Sequence, residues 1–286
     1  MSMRVLVTGA GGMLGQDVVA AAEANGDEVV ALARGDLDVT DERAVAAALS
    51  DEHVDAVINC AAWTDVDGAE DDPDGADAVN ALGVEHLANA AAHVGARLVH
   101  VSTDYVFDGA RSADEPAYVE SDIPAPHSVY GASKLAGEEA VTAAGGSHAI
   151  VRSSWLFGVG GRNFVATMLA LGEERDEVTV VDDQVGCPTA TAHLAPALVA
   201  LAHDDDPQGI FHVAGGGQCS WHDLAVETFR QAGIACRVLP CTTADMPRPA
   251  PRPPFSALVS ERDDAPLLPP WQEGLTTYLA QRGVHA

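Results

Sequence analysis

Tyr130 and Lys134 stand four residues apart in the run Val129-Tyr130-Gly131-Ala132-Ser133-Lys134. On a helix that spacing puts both side chains on one face. Lys134 is the only lysine of the chain; the other basic residues are all arginine. A phenol titrates near pH ~10. A neighbouring cation favours phenolate, so it makes the phenol a better acid toward a developing alkoxide. Thirty residues earlier, Val99-His100-Val101 leads into Ser102-Thr103-Asp104-Tyr105-Val106-Phe107. A hydroxyl at the carboxyl end of a parallel strand points into the crevice where such folds bind ligands. Ser102 or Thr103 can therefore hydrogen-bond a substrate carbonyl or the Tyr130 phenol.

Upstream, Val5-Leu6-Val7-Thr8 runs into Gly9-Ala10-Gly11-Gly12-Met13-Leu14-Gly15. Gly9 permits a tight turn, Gly12 lets backbone approach a pyrophosphate, and Gly15 allows close helix–sheet packing. The pyrophosphate charge would rest at a helix N-terminus. The second strand ends Ala31-Leu32-Ala33-Arg34, without the acid that holds an adenosine ribose in NAD sites. Arg34 can meet a 2′-phosphate, which favours NADP(H) and leaves NAD(H) open. Asp38-Val39 lies where an acid can bond an adenine amino group. Lys134 then has a second role under the nicotinamide ribose, which a guanidinium cannot copy.

These residues need a parallel sheet to bring them together. Strands are expected at Arg4–Thr8, Glu28–Ala33, Ala56–Cys60, Leu98–Ser102 and Ala149–Arg152, with helices at Leu14–Asn25, Glu42–Leu49, Ala76–Val94 and Val129–Ala144. Apolar strands alternating with helices predict an α/β fold, a doubly wound parallel (Rossmann) sheet. A smaller C-terminal substrate-binding region is expected to follow. Its helices read as Arg162–Glu174, Thr191–His203 and Trp221–Gly233, its strands as Val178–Val181 and Gly209–Val213. Asp245–Ser256 holds five prolines and reads as ordered extended chain crossing a surface or site. The division is 1–152 for the dinucleotide and 153–286 mainly for substrate, with a segment near 190–215 returning to the sheet.

Acids outnumber bases 43 to 15, for a net charge of −28. That disfavours nucleic acid and an anionic membrane face as partners. An acidic, nearly lysine-free composition predicts adaptation to molar salt. A high-GC genome would also favour arginine over lysine, but it does not explain the charge. Five cysteines without a CxxC pair read as reduced thiols, and no leader is apparent, which points to the cytoplasm. The histidines form no HxxxH or HExxH pattern, so no metal is expected. The aspartate runs Asp71–Asp74 and Asp204–Pro207 read as solvated loops.

Together these motifs resemble the extended short-chain dehydrogenase/reductase superfamily, and within it the dTDP-4-dehydrorhamnose reductases. The likeness also includes Asn59-Cys60-Ala61-Ala62-Trp63-Thr64-Asp65-Val66-Asp67-Gly68-Ala69-Glu70, Lys134-Leu135-Ala136-Gly137-Glu138, Arg152-Ser153-Ser154-Trp155, Asp183-Gln184-Val185-Gly186-Cys187-Pro188-Thr189 and Arg252-Pro253-Pro254-Phe255-Ser256-Ala257-Leu258. The resemblance implies reduction of a 4-keto-6-deoxy sugar on a nucleotide carrier, with Thr103, Tyr130 and Lys134 as the catalytic set. It implies that Gly12, Met13 and Leu14 cradle the pyrophosphate and that Asp38-Val39 flank the adenine. Ala61, Ala62 and Thr64 would line the middle of the cofactor, and Thr103, Asp104 and Trp155 would touch the deoxysugar. Arg252 is a candidate for the substrate pyrophosphate. Three departures stand out: no ribose acid at Ala33-Arg34, Cys60 in place of alanine, and only Asp17 matching the acids by which some members hold a metal between subunits. A homodimer stays open. The alternatives are another sugar-nucleotide reductase, an epimerase or dehydratase, or a non-catalytic regulatory subunit. The intact Tyr130/Lys134 pair argues against the last, and Asp104-Tyr105 after Thr103 against a dehydratase.

Overall fold

Strand β1 (Arg4–Thr8) carries Val5, Leu6 and Val7, all fully buried. Side chains of a strand alternate between faces, so Val5 and Val7 pack under one helical layer and Leu6 under the other. The same division recurs along the other central strands. Burial on both faces is what an apolar run without alternation requires. A computed structural model of the protein describes residues 2–112, 114–204 and 208–284.

After β1 come α1 (Met13–Ala24), β2 (Glu28–Leu32), α2 (Glu42–Glu52), β3 (Ala56–Asn59), α3 (Val66–Asp71) and α4 (Pro73–Asp77). A π-helical turn over Ala78–Leu82 leads to α5 (Gly83–Val94), β4 (Arg97–Thr103), α6 (Val129–Ala144) and β5 (His148–Ser153). The rest comprises β6 (Leu156–Phe157), α7 (Phe164–Glu174), β7 (Glu177–Val181), β8 (Val185–Gly186), β9 (Thr189–Ala190), α8 (Thr191–His203) and β10 (Gly209–His212). Then follow β11 (Cys219–Ser220), α9 (Trp221–Ala232), β12 (Arg237–Cys241) and α10 (Trp271–Gln281).

The main sheet has the order β10-β5-β4-β3-β1-β2, and every neighbouring pair is parallel. The chain leaves β1 for β2 on one side and returns to β3 on the other. The crevice beyond the carboxyl ends of β1 and β3 is therefore the topological switch point. Helices α1 and α8 cover one face; α2, α5 and α6 cover the other. β10 pairs with β5, so residues 209–212 of the second half complete the sheet edge. A second apolar cluster joins α7, α9 and α10 through Val165, Leu224, Trp271 and Leu275.

Besides the two-residue strands β6, β8, β9 and β11, which were not expected, the sequence expectation differs from the structure mainly in three longer elements. The helix expected over Ala76–Val94 starts at Pro73, where Asp72 caps it, and is interrupted by the π-turn. Strand β12 contains Pro240 and pairs only with β7; an edge position tolerates the missing N–H. Helix α10 includes Gly274 and two threonines, which mask it by propensity. Its buried stripe, Trp271, Leu275, Tyr278 and Leu279, has helical spacing. The proline-rich stretch crosses the molecule in extended form, with Phe255 bridged to Val185 and the Ala250 N–H bonded to Asp67 Oδ1 at 3.2 Å. Of the second aspartate run, residues 205–207 lie outside the described residues.

Candidate active site

Gly9 follows β1 with φ +65°, in the left-handed region open to glycine. A Cβ there would also lie 2.7 Å from the Ala61 nitrogen, so the turn after β1 rests directly on the chain after β3. A Cβ on Gly15 would meet the Gly9 carbonyl oxygen at 2.2 Å. Gly12 is the N-cap of α1 and no side chain caps that end. The first-turn amides of Met13, Leu14 and Gly15 are thus left to an anion, and the Gly9/Gly15 contacts keep the cradle clear of side chains. This is the space and polarity that a dinucleotide pyrophosphate requires.

A loop that the sequence reading missed closes over this turn. Gln16 Nε2 donates to Gly11 O at 3.0 Å and to Gly160 O at 3.2 Å. Asn163 Nδ2 donates to Gly158 O at 2.8 Å and Gly161 O at 3.1 Å. Three glycines in residues 158–161, just before a helix cap, were the available signal.

Ala61, Ala62 and Thr64 follow β3, and at Ala61 that chain lies against the glycine turn. Arg34 is exposed, two residues past β2, with its guanidinium near Asp38. The carboxylate of Asp38 accepts from Thr40 N at 3.0 Å and from Thr40 Oγ1 at 2.8 Å. These bonds, with a smaller pull from Arg34, hold it below the usual carboxylate range. Val39 is buried beneath Gly83.

Thr103 ends β4 and is buried; its hydroxyl donates to Asp104 Oδ1 at 3.1 Å and accepts from Tyr105 N at 3.2 Å. Tyr130 and Lys134 share the face of α6 turned to β4. The first turn of α6 is pinned by Ser128 Oγ accepting from Gly131 N at 3.0 Å and by Glu70 Oε1 accepting from Val129 N at 2.9 Å. Burial pushes the Tyr130 phenol up to about 12, the hydrogen-bonded Thr103 hydroxyl pulls it down and the Asp104 carboxylate pushes it further up. Four residues on along α6, the Lys134 Nζ donates to Val101 O at 2.7 Å. A phenol that keeps its proton at neutral pH suits proton donation in reduction.

Lys134 is 2 % exposed. Burial lowers it to about 8, while Glu138 and Cys60 pull it back up. Glu138, four residues on, accepts from Ser102 Oγ at 2.5 Å and is gripped by Arg152 through Nε at 2.9 Å and Nη2 at 2.6 Å. The i+4 stripe Tyr130, Lys134, Glu138 was legible as a face of α6; its partner on β5 was not.

Burial raises the Asp104 carboxyl to about 7, against the pull of Ser256 and Thr103. Trp155, at φ +50°, stacks on Trp221 with ring centroids 3.5 Å apart and planes 4° apart. The Trp221 indole N–H donates to Gln184 Oε1 at 3.1 Å. The expected single tryptophan wall is therefore a braced pair. Arg252 is ion-paired with Asp67 at 3.0 Å, beside the Tyr105 ring, and its Nη1 is buried without a hydrogen-bond partner among the described residues. Asp182, His222 and Asp223 bring donor atoms within 4.8 Å of one another. Asp182 already accepts from Ser220 Oγ and Asp223 closes the capping box of α9, so both are in structural use.

The residues expected at the site thus fall beyond the carboxyl ends of β1 to β5, with Arg252 reaching in on the proline-rich strap. The chain is similar to known proteins over nearly its whole length. The dTDP-4-dehydrorhamnose reductase of Mycobacterium tuberculosis is 47% identical over 285 residues, 98% of this chain and 93% of that protein. A crystal structure of a dTDP-4-dehydrorhamnose reductase from Clostridium acetobutylicum superposes with a TM-score of 0.94 at 42% identity, covering 98% of this chain and 100% of that one. The Bacillus anthracis dTDP-4-dehydrorhamnose reductase, solved in complex with NADP, gives a TM-score of 0.93 at 38% identity, with the same coverage. The family model described as the RmlD substrate binding domain matches residues 3–283, and the chain belongs to that family.

Proposed function

We propose that the protein reduces the C4 ketone of dTDP-4-dehydro-L-rhamnose to dTDP-L-rhamnose with NADPH. The observation that carries this reading is the convergence of Thr103, Tyr130 and Lys134 on the crevice that the uncapped N-terminus of α1 also faces. NADPH, when bound, supplies the hydride. Thr103 orients the ketone oxygen and Tyr130 gives it a proton, since burial keeps the phenol protonated. Lys134 would hold the nicotinamide ribose, and its ammonium would stabilise the phenolate that Tyr130 becomes on giving up its proton. Met13, Leu14 and Gly15 donate backbone amides to the pyrophosphate, and Arg34 meets the 2′-phosphate. Asp104 and the Trp155–Trp221 pair hold the sugar. Arg252 faces the substrate pyrophosphate once its bond to Asp67 is shared.

In the same reading residues 1–152 carry the cofactor and 153–286 chiefly the sugar nucleotide, with α8 and β10 lent to the sheet. The chain works in a cytoplasm of high salt. Among the described residues no helix is long and apolar enough to cross a membrane.

The test is oxidation of NADPH, and of NADH in parallel, with the 4-keto sugar nucleotide as acceptor. Tyr130→Phe should lower kcat by about 10²–10⁴ and leave NADPH affinity within a few fold. Turnover by that variant at the wild-type rate would remove the phenol from the mechanism.

A further inference from the structure

Behind the crevice, β1, β3 and β4 bury a hydrogen-bonded line that ends on Lys134. Thr8 Oγ1 donates to Asn59 Oδ1 at 2.6 Å, and the Ala61 N–H donates to the same oxygen at 3.1 Å. A backbone N–H can only donate, so it identifies the Asn59 oxygen and turns the amide nitrogen toward His100. Asn59 Nδ2 then donates to His100 Nδ1 at 2.9 Å. With Nδ1 accepting, the proton of the neutral ring rests on Nε2. That nitrogen lies 3.5 Å from Lys134 Nζ. Two donors face each other when Lys134 is an ammonium. An N–H···N bond forms when it is the free amine.

We propose that His100, locked by Asn59 as the Nε2–H tautomer, is a positioning residue that favours the neutral form of Lys134 and thereby sets the pH range of the Tyr130/Lys134 pair. Its consequence for turnover rests on the reductase reading; the tautomer and the lysine titration do not. The His100 ring has no exposed surface, and burial beside Lys134 keeps it neutral well below its ordinary range. Other groups also face Lys134. Glu138 on α6, clamped by Arg152 of β5, stabilises the ammonium, as does Cys60 after β3. Burial opposes them, and the His100 Nε2–H at 3.5 Å adds to it.

The sole lysine makes the test clean. With ¹³C-labelled lysine the protein has one titrating lysine signal, and the histidine ring showing a nuclear Overhauser effect to it is His100. In the wild type, ¹⁵N-histidine shifts should report Nε2–H. Asn59→Asp keeps both accepted bonds but offers His100 an acceptor. The ring should then turn to Nδ1–H and the Lys134 midpoint should climb by about one pH unit or more. His100→Leu removes the opposing N–H and should raise the midpoint by about half a unit, moving the alkaline limb of turnover the same way. An Nδ1–H ring in the wild type overturns the proposal. So does an unchanged or lowered midpoint in either variant that folds. A wild type inert toward the sugar nucleotide would instead refute the reductase reading and leave the titration result standing.

Discussion

Burial acts in opposite directions on the acids and the base around Thr103. It keeps a proton on Asp104 up to about 7 and on Tyr130 up to about 12, and it takes one from Lys134 from about 8 upward. For Asp104 the linkage follows directly. The folded chain retains a proton that the unfolded chain loses near 3.8, so stability from this group is present in acid and is lost as pH rises through about 7. Asp104→Asn cannot ionise but still offers an oxygen to Thr103. Relative to the wild type, its Tm should therefore rise between about pH 4 and pH 8, by about 3 °C or more. A thermal-shift series with a pH-independent difference would show that Asp104 ionises freely in the fold. The residue types of this cluster were readable in the sequence. Their charge states were not, because protonation follows burial and partners that a linear chain does not reveal.

At the scale of elements, α6 decides where Tyr130 and Lys134 stand, and its position depends on one close approach. A Cβ on Gly137 would lie 2.3 Å from the Asn80 carbonyl oxygen in the π-turn. Asn80, fully buried there, accepts from Trp63 N at 2.8 Å and donates to Ser133 Oγ at 3.0 Å. It ties the chain after β3 to the helix that bears the catalytic candidates. A π-turn at such a junction is a common accompaniment of functional sites. Gly137→Ala must push α6 off the π-turn. We expect a loss of about 1–3 kcal/mol in chemical denaturation together with reduced kcat. Full stability in that variant would mean the two elements part without cost. The bounds of α6 were legible from its caps, Ser128 and Gly145, and those of α8 from its apolar run. The break in the helix before β4 was not, because what packs on it, α6 at Gly137, lies more than fifty residues away.

For the whole molecule the dominant number is a net charge of −28. Many arginines are already paired with acids, as in Arg4–Glu52, Arg111–Asp122, Arg152–Glu138 and Arg262–Asp264. The surplus acids repel one another across the surface. The screening length falls from about 10 Å at 0.1 M salt to about 3 Å at 1 M. Thermal midpoints should therefore climb steadily from about 0.1 to about 3 M KCl. A flat or falling series would end the salt-adaptation reading and leave the family membership untouched, since that rests on the site motifs and full-length similarity.

Local rules carried much of the molecule. Strand β1, the glycine turn, the Tyr130/Lys134 face and the parallel sheet all follow from period, caps and turn chemistry, which operate within a few residues along the chain. Tertiary structure alone decided what those elements meet: Arg152 on Glu138, Asp67 on Arg252, Trp221 on Trp155, and His100 between Asn59 and Lys134. Each of these contacts joins residues at least fourteen apart in sequence. No periodicity spans such distances; strand order and helix packing choose the partners, and burial then sets the strength of what they do.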